Sequence, residues 1–207
     1  MSADQRIPVR VDIMIAREAP TAVVVVRARS KLVHFLRWNL QDNSVEHGSW
    51  FQGRIYTERG DLSYDGKYMI YNALNPADKM YSWTAISEPP WVKALLLWQH
   101  SSTWVGGGVF AGRDRVWLDF GWLGGRKKIT NELIERQFQI EQRRFWKPRP
   151  PRGCRLPIEL DDTVISIKNG VICRRKNGES ETAQPSFMLD CNTFSPPDRD
   201  AGVPGGA

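Results

Sequence analysis

The chain has 207 residues, of which 41% are hydrophobic and 25% charged, and it carries a formal net charge of +6. This composition is that of a globular protein with a sizeable core, and it excludes a chain that is disordered throughout. No apolar run reaches the roughly 20 residues of a membrane-spanning helix, and the N-terminus lacks the basic-then-apolar order of a secretory signal. A cytoplasmic protein without a membrane partner is therefore expected.

Short runs rich in branched and aromatic residues recur along the first 120 residues, and Gly-, Pro- and Asn-containing turns separate them. The predicted strands are 9–15, 21–29, 67–71, 81–86, 91–98 and 115–120. Strands at this spacing without intervening helices favour antiparallel sheets. We therefore predict a mainly β fold, arranged as a sandwich or a partial, small propeller, with one amphipathic helix and a C-terminal β-hairpin.

A single long helix is predicted over 130–146, because this stretch contains neither Gly nor Pro. Thr130 or Asn131 can cap its N-terminus, and acidic residues lie in its first turns with basic residues in its last, as the helix dipole prefers. The proline-rich sequence at 147–152 then ends the helix.

A hairpin is predicted farther along, where 163–167 and 171–175 flank Asn169-Gly170. The chain is accordingly divided into three parts. Residues 5–123 form the antiparallel domain. Residues 124–191 supply the basic helix, the proline-rich connector and the hairpin packed on that domain, and 192–207 are expected to be a disordered tail.

Two local resemblances accompany this division. The sequence Ser-Tyr-Asp-Gly-Lys at 63–67, within 61–71, resembles the blade motif of TolB-like β-propellers, which has proline where this chain has Tyr64. That resemblance implies a tight turn into an apolar strand. More broadly, the run from Val33 to Ser63 resembles a group of uncharacterised, stand-alone, Trp-rich bacterial proteins, which implies a bacterial origin and a self-contained fold but no activity.

Few residues form motifs that indicate a catalytic or metal-binding site. The three cysteines (Cys154, Cys173, Cys191) and three histidines (His34, His47, His100) have the spacing of neither a zinc site nor a disulfide framework, and no catalytic motif surrounds them. We predict reduced thiols, no catalytic residue, no metal and no cofactor. An alternative is a small hydrolase or lyase that uses dispersed carboxylates, for which the candidates are Asp114, Asp119, Glu159, Asp161 and Asp162.

Positive charge is concentrated in one segment. Residues 126–155 contain ten basic and three acidic residues, so this stretch carries +7 and the rest of the chain −1. The binding residues predicted for a protein partner or a nucleic acid are Arg126, Lys127, Lys128, Arg136, Arg143, Arg144, Phe145, Trp146, Lys147, Arg149 and Arg152. Several phosphates could be contacted by such a segment, with aromatic rings available for stacking.

Tryptophan is also abundant, with nine residues. Most are expected in the core, and a few could line a binding face, because Trp is prominent among interface hot spots. The leading hypothesis is a non-enzymatic interaction module that binds a protein partner, either as a complex subunit or as a toxin-neutralising factor. The alternatives are a nucleic-acid-binding accessory protein that uses 126–155 and the small hydrolase or lyase.

Overall fold

Four β-sheets make up the described part of the chain. The computed structural model describes residues 8–29, 31–102, 104–120, 124–143, 158–160, 162–180 and 182–196. Within these ranges most neighbouring strands run antiparallel, and the α-helical structure is a single turn. The prediction of a mainly β, antiparallel fold with sandwich-like packing is confirmed.

Sheet I is an antiparallel meander of four consecutive strands. In order across the sheet they are β1 (Arg10–Ile15), β2 (Thr21–Arg29), β3 (Leu32–Asn39) and β4 (Val45–Gln52). Residues 22–26 of β2 are buried without interruption, because both faces of the sheet are covered. A continuous apolar run of strand length is typical of such a position.

Sheet II has six strands. They are β5 (Arg54–Ile55), β6 (Asp61–Leu62), β7 (Met69–Leu74), β8 (Ser82–Ser87), β9 (Leu96–His100) and β12 (Arg126–Ile129). The order across the sheet is β12-β9-β8-β7-β5, and β6 also pairs with β7. β7 and β8 are buried at every position, whereas β12 is exposed at every position and lies at the edge.

Sheets III and IV complete the fold. Sheet III contains β10 (Gly108–Phe110), β11 (Arg115–Asp119) and β13 (Gln139–Arg143), and its β13 runs parallel to β11. The helical turn α1 (Glu132–Glu135) connects β12 to β13. Sheet IV is a meander of β14 (Ile158–Leu160), β15 (Thr163–Lys168), β16 (Val171–Lys176) and β17 (Phe187–Asp190), followed by a 3-10 turn at Cys191–Thr193.

The sheets stack as layers in the order IV, I, II, III, with a hydrophobic core between each neighbouring pair. Adjacent residues of β2 show how sheet I serves two cores, since successive side chains of a strand point to opposite faces. Val25 packs with Tyr71 in the core shared with sheet II. Val24 packs with Ile172 in the core shared with sheet IV. The third core joins Trp98 of sheet II to sheet III.

The predicted helix over 130–146 is wrong in its extent. Its start is correct, because the Asn131 side chain caps the first turn, but the helical turn ends at Glu135 and a strand follows. Phe138 and Ile140 both pack against the core between sheets II and III. A spacing of two residues puts side chains on one face of a strand, not of a helix, so burial of this pair selects the extended chain. Residues 144–146 lie outside the described ranges.

Two of the predicted turns are confirmed. Asn169 and Gly170 have φ angles of 52° and 79° between β15 and β16, as the hairpin requires. Gly66 has a φ of 73° in the turn between β6 and β7, which pair antiparallel. The chain therefore makes a tight turn at Gly66 between β6 and β7.

Strands from the basic part of the chain belong to sheets II and III. β12 pairs with β9 and β13 pairs with β11, so strands before and after residue 124 share these two sheets. Most of the predicted tail over 192–207 lies outside the described ranges. Phe194 places its ring edge against His34 and His47, whereas residues 197–207 lie outside the described ranges. In the described part of the chain, no helix has the length and apolar character to cross a membrane.

Candidate partner-binding surface

The predicted basic residues divide into a described and an undescribed group. Arg126, Lys127 and Lys128 lie on β12 instead of in a loop before a helix, and all three are exposed. Arg136 follows α1, and Arg143 ends β13. The remaining predicted binding residues lie outside the described ranges, namely Arg144, Phe145, Trp146, Lys147, Arg149 and Arg152.

Ion pairs neutralise much of the described group. Lys127 pairs with Glu135 of α1. Arg136 pairs with Glu132 across one helical turn at 3.4 Å. Both acidic residues of α1 are therefore paired with a cation. In β13, Arg143 forms an ion pair with Glu141, with Arg143 Nη2 lying 2.8 Å from Glu141 Oε2. Exposed pairs of this kind contribute little to stability, but they reduce the local positive potential.

Arg143 also makes an aromatic contact. Its guanidinium carbon lies 4.1 Å from the ring centroid of Trp117 on the neighbouring strand β11. A planar guanidinium on an indole face is a favourable cation–π arrangement. Arg143 is therefore held by Glu141 and Trp117 together.

Two further groups of cations belong to the basic part of the chain. On β12, Arg126 and Lys128 make no ion pair with any described residue. Beyond β13, residues 144–155 contain five cations and no acid: Arg144, Lys147, Arg149, Arg152 and Arg155. We call these five residues the basic run. Most of the +7 of residues 126–155 therefore comes from the basic run.

Exposed apolar side chains lie at both ends of β12. Trp104 is 87% exposed and follows the end of β9, and Arg126 pairs with Gln99 at that same end. At the other end, Ile129 is 40% exposed and Leu133 on α1 is 73% exposed. We define the β12 surface as Trp104, Arg126, Lys128, Ile129 and Leu133. It combines an aromatic residue, an arginine and aliphatic side chains, a composition found at interface hot spots and their surroundings.

The other tryptophans mostly follow the core prediction. Trp38, Trp83 and Trp98 are buried, and Trp50 and Trp117 are half-buried. Trp91 is half exposed in the segment between β8 and β9. Trp122 and Trp146 lie outside the described ranges. Of the described tryptophans, Trp104 is thus the one that departs most from the expected burial, and it marks the β12 surface.

A buried polar cluster places a hydroxyl beside an imidazole, a pairing that the sequence did not indicate. The Thr84 hydroxyl lies 2.7 Å from His100 Nε2 and accepts the Gly107 backbone N–H at 2.7 Å. Asn72 also donates to the Thr84 hydroxyl. A hydroxyl beside an imidazole can form a nucleophile, but Thr84 is fully buried and the loop carrying Gly106 and Gly107 covers it. Thr84 and His100 are therefore both buried, and their hydrogen bonds connect β8 to β9 and to the loop that carries Gly107.

Two histidines of sheet I form a second pair. His34 Nδ1 lies 3.2 Å from the Ser49 carbonyl, and His34 Nε2 lies 3.0 Å from His47 Nδ1. Because a carbonyl only accepts, a neutral His34 carries its proton on Nδ1, and His47 donates to His34 Nε2. Burial lowers the pKa of His34 to about 4. Asp42-Asn43, residue types that favour turns, was the available signal in the sequence, since a turn there brings 34 and 47 onto adjacent strands.

The candidate carboxylates do not meet in the described structure. Asp114 immediately precedes β11, and Asp119 is its last residue. In an extended chain their Cα atoms are therefore about 16 Å apart. Paired glycosidase carboxylates lie within about 10 Å of each other. Asp162 is exposed in the turn before β15, Asp161 lies outside the described ranges, and the Glu159 side chain is not described.

Metal-ligating residues do not cluster in the described ranges, where no group of three His, Cys, Asp or Glu side chains could hold an ion. The described cysteines, Cys173 and Cys191, are free thiols. Burial raises the pKa of Cys191 to about 12, so this thiol is protonated and unreactive at neutral pH. Cys154 lies outside the described ranges.

Comparison with known proteins found no match: no protein-family model, curated protein or solved structure matches this chain.

Proposed function

We propose that this protein is a non-enzymatic interaction module that holds a protein partner through the β12 surface and the basic run. The observation that carries the proposal is the exposed, cationic edge strand β12 with apolar side chains at both ends. Such a module can serve as a complex subunit or as a toxin-neutralising factor in a bacterial cell. Interface energetics of this kind depend on a few aromatic and arginine anchors.

The second candidate is a nucleic-acid-binding accessory protein, and the basic run favours it. Five cations without an acid can contact several phosphates. In the described part, however, Lys127, Arg136 and Arg143 are paired with carboxylates and are less available to phosphates. This pairing is why we place the protein partner first.

The two candidates are separated by affinity purification of the intact, tagged protein with and without nuclease treatment. The test variant changes Arg143, Arg144, Lys147 and Arg149 to Ala. We expect the wild type to retain one protein partner after nuclease treatment. The amount of partner retained by the variant should be lower by a factor of about ten or more. The control variant changes Lys67, Lys93, Lys168 and Lys176 to Ala, which removes equal charge from exposed sites elsewhere, and it should retain the partner.

Loss of all co-purifying protein after nuclease treatment would instead favour nucleic acid. In that case binding of a labelled single-stranded oligonucleotide should weaken steeply between about 50 and 200 mM salt, because phosphate contacts release counterions. Equal partner retention by the test and control variants would contradict a role for the basic run.

A further inference from the structure

We infer that β12 receives an acidic, extended segment of the partner as an added strand at the edge of sheet II. The inference rests on the proposed function and specifies the chemistry of the partner. It follows from the position of β12 in the sheet, from its charge, and from the side chains at its ends.

Within the described part of the chain, one side of the β12 backbone is unpaired. There β12 pairs with β9 alone, and it is the last strand in the order across sheet II. Residues 126–129 are all exposed. An edge strand of this kind presents unpaired N–H and C=O groups, which an extended peptide can pair with.

A longer edge strand is covered and so does not compete for this role. β4 ends sheet I with eight residues, but the Ser49 N–H donates to the Pro90 carbonyl at 3.1 Å. The close approach of Gly48 to the same proline leaves no space there, since a Cβ on Gly48 would lie 2.3 Å from the Pro90 oxygen. Part of the β4 edge is therefore occupied by the segment that carries Pro90.

Charge selects the kind of strand that β12 can accept. Three of its four residues are cationic, and Lys127 already shows the preference for a carboxylate through its contact with Glu135. Acidic side chains placed opposite Arg126 and Lys128 would be attracted, whereas like charges placed opposite each other destabilise a strand pair.

A second copy of this chain is therefore a poor occupant of the edge. Pairing β12 with itself would bring cations together across the strands. Lys127 pairs with Trp98 and Ile129 with Leu97, so Lys128 is an extra residue in a bulge. Charged residues and bulges are devices that prevent self-association of edge strands. The occupant indicated is a foreign, acidic strand.

The ends of β12 set the expected pattern of that strand. Trp104 lies beyond one end, and Ile129 and Leu133 lie at the other, all exposed. Successive side chains of an added strand point to opposite faces, so acidic residues that alternate with apolar ones suit both the cations and these apolar anchors.

The test uses the full-length protein and labelled peptides of about eight residues in which Glu alternates with Val. One control peptide carries backbone N-methyl groups at alternate residues, which preserves its charge but removes N–H donors. A second control replaces Glu with Lys. We expect the unmodified acidic peptide to bind about tenfold more tightly than either control, with protection of residues 126–129 from hydrogen exchange.

Charge-reversal variants identify the edge. Changing Arg126 and Lys128 to Glu should weaken binding of the acidic peptide about tenfold and allow the Lys peptide to bind. The matched control changes Lys168 and Lys176 of sheet IV to Glu, with the same change in charge at exposed sites. Circular dichroism and the thermal midpoint confirm that each variant is folded.

Equal binding of the acidic and N-methylated peptides would overturn strand addition, as would dimerisation of the wild type that the β12 reversal abolishes. Neither result removes the proposed function, which is tested by retention of the partner by the wild type and its loss from the variant that changes Arg143, Arg144, Lys147 and Arg149 to Ala. Conversely, peptide binding at β12 without a retained partner would support this inference and contradict the proposed function.

Discussion

Replacing Asp61 with Ala is expected to lower the free energy of unfolding by about 3–5 kcal/mol, because it breaks a buried ion pair and leaves the other charge uncompensated. Asp61 Oδ2 lies 3.0 Å from Arg17 Nη2 and accepts the Phe110 backbone N–H at 2.8 Å. One carboxylate thus connects the segment after β1 to sheets II and III.

Burial raises the pKa of Asp61, and the Arg17 charge and the Phe110 N–H oppose that rise without cancelling it. Desolvation is therefore the largest influence on the pKa of Asp61. Substitution by Ala leaves Arg17 and the Phe110 N–H without this acceptor, which costs free energy in a buried site. The effect is best measured near neutral pH by urea unfolding. A drop of about 3 kcal/mol also corresponds to a midpoint decrease of roughly 10 °C for a chain of this length.

The control for Asp61 is the exposed pair between Glu18 and Arg113, which has a nitrogen–oxygen distance of 2.7 Å. Changing Glu18 to Ala should alter the free energy of unfolding far less than the Asp61 substitution does, since water already solvates both groups. Similar changes in the free energy of unfolding for the two substitutions would contradict a stabilising, buried ion pair at Asp61.

Acidification from pH 7 to about 4.5 is expected to destabilise the fold by several kcal/mol through His34 and His100. Burial is the largest cause of a lowered pKa in both, to about 4 from 6.5. Coulombic repulsion acts in the same direction, from His47 on His34 and from Arg59 on His100. Backbone contacts with Ser49 and Gly124 oppose these effects.

The sign follows from proton uptake. A lowered folded-state pKa means that the unfolded chain binds protons first as the pH falls below about 6.5, so stability is complete above that value. It is then lost as the pH falls towards about 4. At one pKa unit per about 1.4 kcal/mol, each histidine contributes at most about 3 kcal/mol.

Urea unfolding at several pH values checks this prediction. Changing His34 and His100 to Gln should lower stability at pH 7 but flatten its pH dependence between about 6.5 and 4.5, with each single variant removing part of the slope. Asp61 acts in the opposite sense, because its raised pKa makes ionisation unfavourable in the fold. An unchanged slope in the double variant would contradict the assignment to these two histidines.

Local signals in the sequence determined the strands and turns that were predicted correctly. Asn169-Gly170 requires positive φ angles at both residues, and the buried run 22–26 has no polar residue to place outward. Such features depend on nearby residues alone, so they can be read without knowing the tertiary structure.

The long helix failed because long-range packing overrode local preference. A stretch without Gly or Pro and with well-placed charges suits a helix, but Phe138 and Ile140 gain burial only in an extended strand beside β11. The same limit applies to the pairing of Thr84 with His100, which depends on the register between β8 and β9. Register between strands is set by tertiary packing.

The candidate surface was only partly predictable. Composition located the positive charge in 126–155, but it could not show that Lys127, Arg136 and Arg143 are paired with carboxylates. Nor could it show that β12 is an edge strand or that Trp104 is exposed. These properties arise from the order of strands across the sheets.

Hydrogen exchange of the full-length protein, alone and with its nuclease-resistant partner, tests the central claim most directly. We expect protection on binding to concentrate in residues 126–143 and the basic run, with sheet IV and β1 unchanged. Protection confined to sheet IV or sheet I, with residues 126–129 exchanging as in the free protein, would contradict the claim that this surface holds the partner.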